Sequence, residues 1–486
     1  MSDLKKTVMT NWRWVMCAML FFATTVNYMD RQVLSLTFKE FIQPEFHWTD
    51  SDYGTITGVF SIAYAIFCLF AGKFIDWMGT KKGYLIAIVV WSLGAVMHAG
   101  CGWVTENIVG VADKAALLEA TGTLAASISM VSVWLFLACR LILGLGEAGN
   151  FPAAIKVTAE YFPKKDRAFA TALFNAGASV GALAAPATIP LLAKSLGWEW
   201  AFIIIGALGF IWAGVWIFVY DKPTESKHVN EAELAYIHQD DRSGSGAEHP
   251  SGSEAKEEKQ MSFAEAFKHR QTWSFAFGKF MTDGVWWFFL FWAPAYFQDQ
   301  FGIKASDPQG IALIFTLYAI VTVISLFGGY LPKIFVEKKG MEPYAGRMRA
   351  MLIFAFFPIF ALFAQPLGGV WGPWAVAIII GIVGAAHQSW SANIFSTTGD
   401  MFPKSAVATI TGIGAMAGGV GSFLINKGSG MLFDHAAEMG EAFKFAGFTG
   451  KPAGYMIIFC ICAVAYLIGW SVMKALVPKY APVVVK

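Results

Sequence analysis

The chain has 486 residues, of which 56% are hydrophobic and only 14% are charged. Soluble domains carry about a quarter charged residues, so most of this surface does not face water. The net charge of +2 says nothing about nucleic-acid binding, because the basic residues are dispersed in short loops, and no nucleic-acid partner is expected. None of the six cysteines has metal-ligand spacing, and neither a metal ion nor a cofactor is expected. The composition predicts a membrane protein with the lipid bilayer as a partner, and the long apolar runs along the chain predict an all-α fold.

Apolar runs recur along the whole chain, and each is long enough to cross a bilayer as a helix. The first run follows basic residues, as the core of a signal peptide does. It continues past the usual length of such a core and has no small-residue cleavage site, so we expect an uncleaved first span. Twelve spans are predicted, near residues 14–36, 53–74, 84–104, 127–155, 167–191, 199–219, 272–297, 308–332, 350–366, 371–398, 405–425 and 453–475.

Basic residues are divided unevenly between the two sets of loops. An even number of spans puts both termini on one side, and lysine and arginine favour the cytoplasmic side. The termini and the loops on their side hold Lys5, Lys6, Arg13, Lys81, Lys82, Lys164, Lys165, Arg167, Lys333, Lys338, Lys339, Arg347, Arg349, Lys474, Lys479 and Lys486. The opposite loops hold fewer, so both termini are predicted to be cytoplasmic.

A polar segment divides the chain. Residues 221–271 break the apolar pattern, and within them residues 243–259 are rich in Ser, Gly, Glu and Lys. Such a composition does not form a packed core, so the segment is predicted to be a cytoplasmic linker. It separates two six-helix bundles, 1–220 and 272–486.

The two halves resemble each other in sequence. The segment after the fourth span reads EYFPK at 160–164, and the segment after the tenth reads DMFPK at 400–404. The same offset aligns Thr171 with Thr411. Corresponding loops match, so the halves are expected to be parallel repeats about an axis normal to the membrane. This arrangement is typical of alternating-access carriers, which bind substrate near the midplane between the halves.

The loop between the second and third spans carries a motif. Residues 72–82 read GKFIDWMGTKK, a Gly-x-x-x-Asp-x-x-Gly-x-basic pattern that resembles the signature of the major facilitator superfamily. We expect the glycines to allow close helix approach and a sharp turn, and the acid to pair with basic groups and cap a neighbouring helix. The candidates for this conformational latch are Gly72, Asp76, Gly79 and Lys81. The alternative is an ordinary polar turn.

Four charged residues lie within predicted spans. Asp30 and Arg31 lie in the first, and Arg140 and Glu147 lie two helical turns apart in the fourth. Each charged side chain at the bilayer centre costs about 2.5–3.5 kcal/mol on insertion scales. A chain therefore keeps such a residue only when it pairs with an opposite charge or has a functional role. Two acids beside two arginines form a network in which protonating an acid frees an arginine for an anion. The alternative is a static salt-bridge cluster.

The motifs around these charges resemble those of the anion:cation symporters within the major facilitator superfamily. They are NYMDR at 27–31, RLILGLGEA at 140–148, NFP at 150–152 and EYFP at 160–163. The resemblance covers the chain apart from the linker. It implies a proton-coupled importer of an organic anion in the inner membrane of a bacterium, expected to be a monomer. It also implies that Asp30 and Glu147 take protons while Arg31 and Arg140 hold the substrate carboxylate.

Three further stretches are most similar to hexuronate transporters. They are KFMTD at 279–283 followed by two tryptophans, FNAG at 174–177 and HQSWSAN at 387–393. The resemblance implies a sugar-acid anion such as galacturonate or glucuronate as substrate. An open-chain aldonate such as galactonate, or another organic anion, is the alternative.

Additional polar and aromatic residues within spans are candidates for substrate contacts. Ala178 stands where sugar-acid relatives can carry glutamine, so Asn175 or Ser179 is expected to take that role. Tyr28 and Tyr64 could instead belong to an interfacial belt, and at least one of the two span-7 tryptophans could face lipid. The remaining candidates are Tyr28, Tyr64, Trp286, Trp287, Gln388 and Asn393.

Three other polar features within or next to the spans are expected to be structural. Lys279 and Asp283 are four residues apart and are expected to pair with each other. The same spacing predicts a pair between Lys156 and Glu160. His387 is expected to be a hydrogen-bonded interior histidine.

Two other functional classes compete with a carrier. A membrane enzyme would need paired catalytic carboxylates, a metal cluster or a nucleophile motif, and the sequence shows none of these. A receptor would use the polar linker as its functional domain, but the linker is too short and too low in complexity. The chain is therefore predicted to be a transporter and not an enzyme.

Overall fold

The computed structural model describes residues 9–239, 261–328 and 330–483. Ten helices in these residues are long and apolar enough to cross a membrane. Trp12–Thr37 and Arg270–Phe301 are also long, but charged residues interrupt their apolar sequences. The twelve spans, numbered in chain order, are Trp12–Thr37, Asp50–Met78, Thr80–Ala99, Gly122–Glu147 with Asn150–Tyr161, Lys164–Leu196, Trp198–Val219, Arg270–Phe301, Pro308–Gly328, Pro343–Phe356 with Phe357–Phe363 and Ala364–Trp371, Pro373–Met401, Lys404–Met439 and Lys451–Leu476.

The predicted spans and all-α class are confirmed, with two differences in detail. Span 11 was expected to end near residue 425 and continues to Met439, because its helix extends beyond the apolar stretch. Span 9 contains a 3₁₀ segment, Phe357–Phe363. Short elements connect the spans: a π-helical turn Phe38–Ile42, helices Gln43–Phe46, Cys101–Val109, Lys114–Leu118, Glu231–Ile237, Phe263–Ala266 and Leu331–Lys339, a 3₁₀ turn Gly440–Ala442, and an antiparallel pair of strands, Lys444–Phe445 and Phe448–Thr449.

The repeated EYFPK and DMFPK segments adopt the same backbone shape. The helix before each ends at Tyr161 or Met401, and the following residue is extended. The prolines then precede the next helix with nearly equal angles, φ −63° and ψ 156° at Pro163 and φ −62° and ψ 154° at Pro403. The sequence repeat is therefore also a structural repeat.

Spans 2 and 11 bring the two halves into close contact. A Cβ atom on Gly54 would lie 2.4 Å from the carbonyl oxygen of Asn426, and one on Gly430 would lie 2.3 Å from that of Asp50. Both distances are too short for any side chain, so glycine permits this backbone approach. We call the end of the bundle where span 1 begins the inner end, and the opposite end the outer end.

A buried ion cluster joins the halves at the outer end. Lys39 Nζ lies 2.8 Å from Asp50 Oδ1 and 3.2 Å from Asp299 Oδ1. Lys451 Nζ lies 2.6 Å from Asp299 Oδ2 and also contacts Asp50. Tyr455 donates a hydrogen bond of 2.8 Å to Asp299. We call these residues the outer cluster; every one of its charges has an opposite partner.

Part of the segment predicted to be a linker packs against the inner end of span 1. Glu233, on helix Glu231–Ile237, accepts hydrogen bonds from the backbone N–H groups of Trp12 and Arg13 and pairs with the Arg13 guanidinium at 3.0 Å. Burial opposes ionisation of Glu233, but the hydrogen bonds from Thr10, Trp12 and Arg13 outweigh it and lower the pKa of Glu233. Glu233 thus caps span 1. The low-complexity stretch predicted at 243–259 lies outside the described residues.

Candidate functional site

Spans 1 and 4 meet through a buried ion pair. Arg31 Nε donates to Glu147 Oε2 at 2.8 Å, with side-chain exposures of 6% and 0%. Arg31 also donates to Asn27 Oδ1, one turn earlier, at 3.4 Å. These contacts hold the guanidinium across the interior of the first half.

Aromatic rings surround the Arg31 guanidinium. Its Cζ atom lies 4.4 Å from the ring centre of Tyr64, 5.2 Å from that of Tyr28 and 5.6 Å from that of Trp287. Arginine stacks favourably on aromatic faces, especially when water is excluded. Trp287 belongs to span 7, so this group of rings includes both halves of the protein.

Arg140 and Asp30 complete the group, but with polar atoms unsatisfied. Both terminal nitrogens of Arg140 and both carboxylate oxygens of Asp30 are buried without a hydrogen-bond partner among the described residues. The second oxygen of Glu147 is in the same state. Buried polar atoms are normally paired, and unpaired ones mark a place where a ligand or proton can bind. We call Asp30, Arg31, Arg140 and Glu147 the central cluster.

Glycines place the helices that carry these charges. A Cβ on Gly146 would lie 2.3 Å from the backbone nitrogen of Trp91, so Gly146 lets span 4 touch span 3 directly before Glu147. In span 5, Cβ atoms on Gly177 and Gly181 would lie 2.3 Å and 2.4 Å from carbonyl oxygens of span 1. Span 1 is therefore held close to its neighbour along the stretch that leads to Asp30.

The other predicted contact residues are less closely joined to the cluster. Trp286 turns towards span 10 and stacks on His387, with ring centres 5.5 Å apart. Asn393 donates to the carbonyl of Ser389, a bond within its own helix. Asn175 is exposed, whereas Ser179 and Gln388 are half-buried in spans 5 and 10. These five positions stay predictions as substrate contacts.

The second half has its own buried polar groups. Lys279 Nζ lies 2.8 Å from Asp283 Oδ2, which confirms the predicted pair. The hydroxyl of Tyr466 lies 2.7 Å from His387 Nδ1, so His387 is hydrogen-bonded as expected.

The acid of the predicted latch pairs with a basic group, as expected, and the latch role itself stays a prediction. Asp76 pairs with Lys156 at 2.7 Å, and Lys81 pairs with Asp221 at 2.8 Å. The expected pair of Lys156 with Glu160 is wrong, because Glu160 accepts hydrogen bonds from Thr80 and Tyr220.

The latch glycines also differ from each other. Gly79 has a φ of +79°, as a sharp turn requires, because a side chain is strained there. A Cβ on Gly72 would meet no atom within 4 Å, so the expected close approach at Gly72 is wrong.

Sequence reasoning missed three neighbours of the central cluster. Asn27 accepts from Arg31, Phe60 lies 5.3 Å from the Arg140 guanidinium, and Trp91 lies close to the Asp30 carboxylate. The i,i+4 spacing could have identified Asn27. Phe60 and Trp91 are apolar-run residues of other spans, and only the packing reveals them. Among the described residues, no group of His, Cys, Asp and Glu could hold a metal ion.

Comparison with known proteins agrees with this fold. The hexuronate transporter of Escherichia coli (strain K12) is 28% identical over 466 residues, which cover 95% of this chain and 94% of that protein. The galacturonate transporter of Dickeya chrysanthemi is 29% identical over 323 residues, 66% of this chain and 82% of that protein. A crystal structure of a D-xylose-proton symporter shares the fold at a TM-score of 0.65 and 15% identity, over 97% of this chain and 98% of that one.

The family assignment rests on more than these individual relatives. Residues 20–425, well over half of the chain, match the Major Facilitator Superfamily. Members of this family are membrane transporters, so the prediction that the chain is not an enzyme is confirmed. The protein is a multi-pass membrane protein that belongs to the Major Facilitator Superfamily.

Proposed function

We propose that the protein is a proton-coupled symporter that imports a sugar-acid anion, a hexuronate such as galacturonate or glucuronate, by alternating access. The observation that carries the proposal is the central cluster. One arginine is engaged by a carboxylate, while both terminal nitrogens of the other, Arg140, have no partner among the described residues. The transport of hexuronate and of galacturonate by the relatives named above supports the same substrate class.

In this proposal the substrate carboxylate binds to the two terminal nitrogens of the Arg140 guanidinium, which we call the fork. Two parallel N–H groups match two carboxylate oxygens, and lysine cannot offer that geometry. A neutral hexose would leave the buried guanidinium uncompensated, so the site selects anions.

Proton binding at Glu147 frees the second arginine. The neutral acid holds Arg31 less strongly, and Arg31 can then turn to the substrate. Asp30 lies close enough to Arg140 and Glu147 for its charge to act on both. One proton with one monoanion makes transport electroneutral, because the two charges cancel.

The aromatic residues bind the sugar ring in the same proposal. Trp287, Tyr28 and Tyr64 offer flat faces to the apolar side of a pyranose beside the charged site. Trp286, Asn175, Ser179, Gln388 and Asn393 are proposed to supply further ring and hydroxyl contacts.

Three architectural features belong to the proposal as well. The halves are residues 1–220 and 272–486, joined by the linker 221–271, and the carrier works as a monomer. The membrane is the bacterial inner membrane, with both termini in the cytoplasm. A cysteine at exposed Lys82, at the inner end, should resist a membrane-impermeant thiol reagent added to intact cells, whereas one at exposed Lys304 should react. The reverse pattern would overturn this orientation.

Competition in proteoliposomes tests the substrate. Uptake of labelled galacturonate should be inhibited by glucuronate and much less by glucose, since glucose has no carboxylate. Inhibition by glucose as strong as by glucuronate would show that the site does not require a carboxylate. Stronger inhibition by galactonate than by glucuronate would select the open-chain aldonate instead, which has no ring for the aromatic residues.

A further inference from the structure

The Lys279–Asp283 pair lies on the same face of span 7 as the ring that touches Arg31. Lys279, Asp283 and Trp287 are spaced four residues apart, so they form one stripe along the helix. The helical rise places Asp283 about 6 Å and Lys279 about 12 Å from Trp287 along the axis, towards the inner end. A six-carbon sugar acid is about as long as the axial separation between Trp287 and Asp283, so one held at the central cluster can reach Asp283.

Span 11 leaves room for the Asp283 carboxylate. A Cβ on Gly418 would lie only 2.2 Å from Asp283 Oδ2, so any other residue there would displace the carboxylate. The neighbouring Gly419 faces span 2, since its Cβ would lie 2.5 Å from Ala65. Asp283 therefore lies close to the surface where the two halves meet. Its side chain is 14% exposed and that of Lys279 only 6%.

The charges around this interface are balanced. Consider the central cluster together with Lys279 and Asp283. When one acid of the central cluster takes a proton, this set of six groups gains one positive charge, which the carboxylate of a monoanion neutralises. A dianion would leave one negative charge uncompensated in a region with little water, which is unfavourable. The set comprises three cations and three carboxylates: Arg31, Arg140, Lys279, Asp30, Glu147 and Asp283.

We propose that Asp283, held in place by Lys279, lies at the far end of the bound sugar acid and excludes substrates with a second carboxylate there. The inference rests on the proposed function. Asp283 can accept a hydrogen bond from a hydroxyl at that end of a monocarboxylate. It repels the second carboxylate of a hexarate, and by pairing with Lys279 it prevents that lysine from attracting the second carboxylate.

Removing the Asp283 charge tests the proposal. The readout is the inhibition constant of galactarate, a six-carbon dicarboxylate, divided by that of glucuronate, both measured against labelled galacturonate uptake in proteoliposomes. Asp283→Asn should lower this ratio by about 10-fold or more, because Lys279 becomes free for the second carboxylate. The matched control is Asp299→Asn, which removes an acid from the same helix in the outer cluster and should leave the ratio unchanged.

A second variant keeps every charge. Gly418→Ala should push the Asp283 carboxylate aside and lower the same ratio, whereas Gly428→Ala, whose added atom would meet nothing within 4 Å, should not. An unchanged ratio in either folded test variant overturns the proposal. Failure of the wild-type protein to recognise hexuronates would instead overturn the proposed function, so the two failures are distinguishable.

Discussion

The central cluster and the outer cluster are both groups of buried charges, but they are built differently. The outer cluster takes its charges from both halves, and each of its four charged groups has an opposite partner. The central cluster lies in the first half alone. It contains one ion pair and leaves oxygens of Asp30 and Glu147 and nitrogens of Arg140 unpaired among the described residues.

The difference suggests different roles. A fully paired buried network stabilises the arrangement in which it forms, here the contact between the halves at the outer end. A partly paired network is costly unless a ligand or proton completes it. We therefore expect the outer cluster to hold one end of the carrier closed and the central cluster to bind and couple. Variants in each cluster separate these two roles.

The largest effect is expected at Arg140. Arg140→Lys keeps the charge and loses the fork, so hexuronate uptake should fall by about 100-fold, which corresponds to about 3 kcal/mol. Initial uptake rates in proteoliposomes measure it. The control is Arg349→Lys at an exposed position of the inner end, which should behave like the wild type. Retention of more than about a tenth of the rate in Arg140→Lys would show that the fork is not needed.

A smaller effect is expected in the outer cluster. Asp299→Asn leaves two lysines facing one aspartate, which should weaken the closed outer end and lower uptake by about 10-fold or less. Spin labels at exposed Asn107 and Lys304, one in each half, should show a larger population of long distances. Exposed Glu438→Gln, also at the outer end, is the control. An unchanged distance distribution would mean that the cluster does not hold the halves together.

The smallest effect is expected at Glu233, outside both clusters. The pKa of Glu233 is lowered in the folded protein, so its ionised carboxylate stabilises the fold. This contribution is fully present above the ordinary pKa of glutamate and is lost as the pH falls through the lowered pKa. Glu233→Gln should speed hydrogen exchange of the Trp12 and Arg13 amides about 10-fold and change uptake little. Exposed Glu231→Gln, on the same helix, is the control. Equal exchange in the two variants would contradict the capping role.

Sequence patterns predicted most of the fold, because each span leaves a long apolar run of its own. All twelve spans were predicted within a few residues at most ends. Span 11 is longer because a helix can continue into polar sequence once its neighbours support it, which no hydropathy pattern records. The repeat was also visible in sequence, because Pro163 and Pro403 fix the same turn.

The candidate site was predicted only in part. Charges inside spans are costly, so Asp30, Arg31, Arg140 and Glu147 could be identified from their cost alone. Which arginine is engaged and which is unpaired depends on how spans 1 and 4 pack, and the sequence holds no signal for that. The outer cluster was missed because its members, such as Lys39, lie at span ends, where charges are common and carry no energetic signal.

Protonation of Glu147 is proposed to couple the proton gradient to substrate movement. In proteoliposomes with an imposed pH gradient, the wild type should accumulate labelled galacturonate. Glu147→Gln should still exchange internal for external galacturonate, because the neutral side chain mimics the protonated acid, but it should not accumulate substrate. Gradient-driven accumulation by Glu147→Gln at the wild-type level would contradict the claim and move the coupling role to Asp30 or His387.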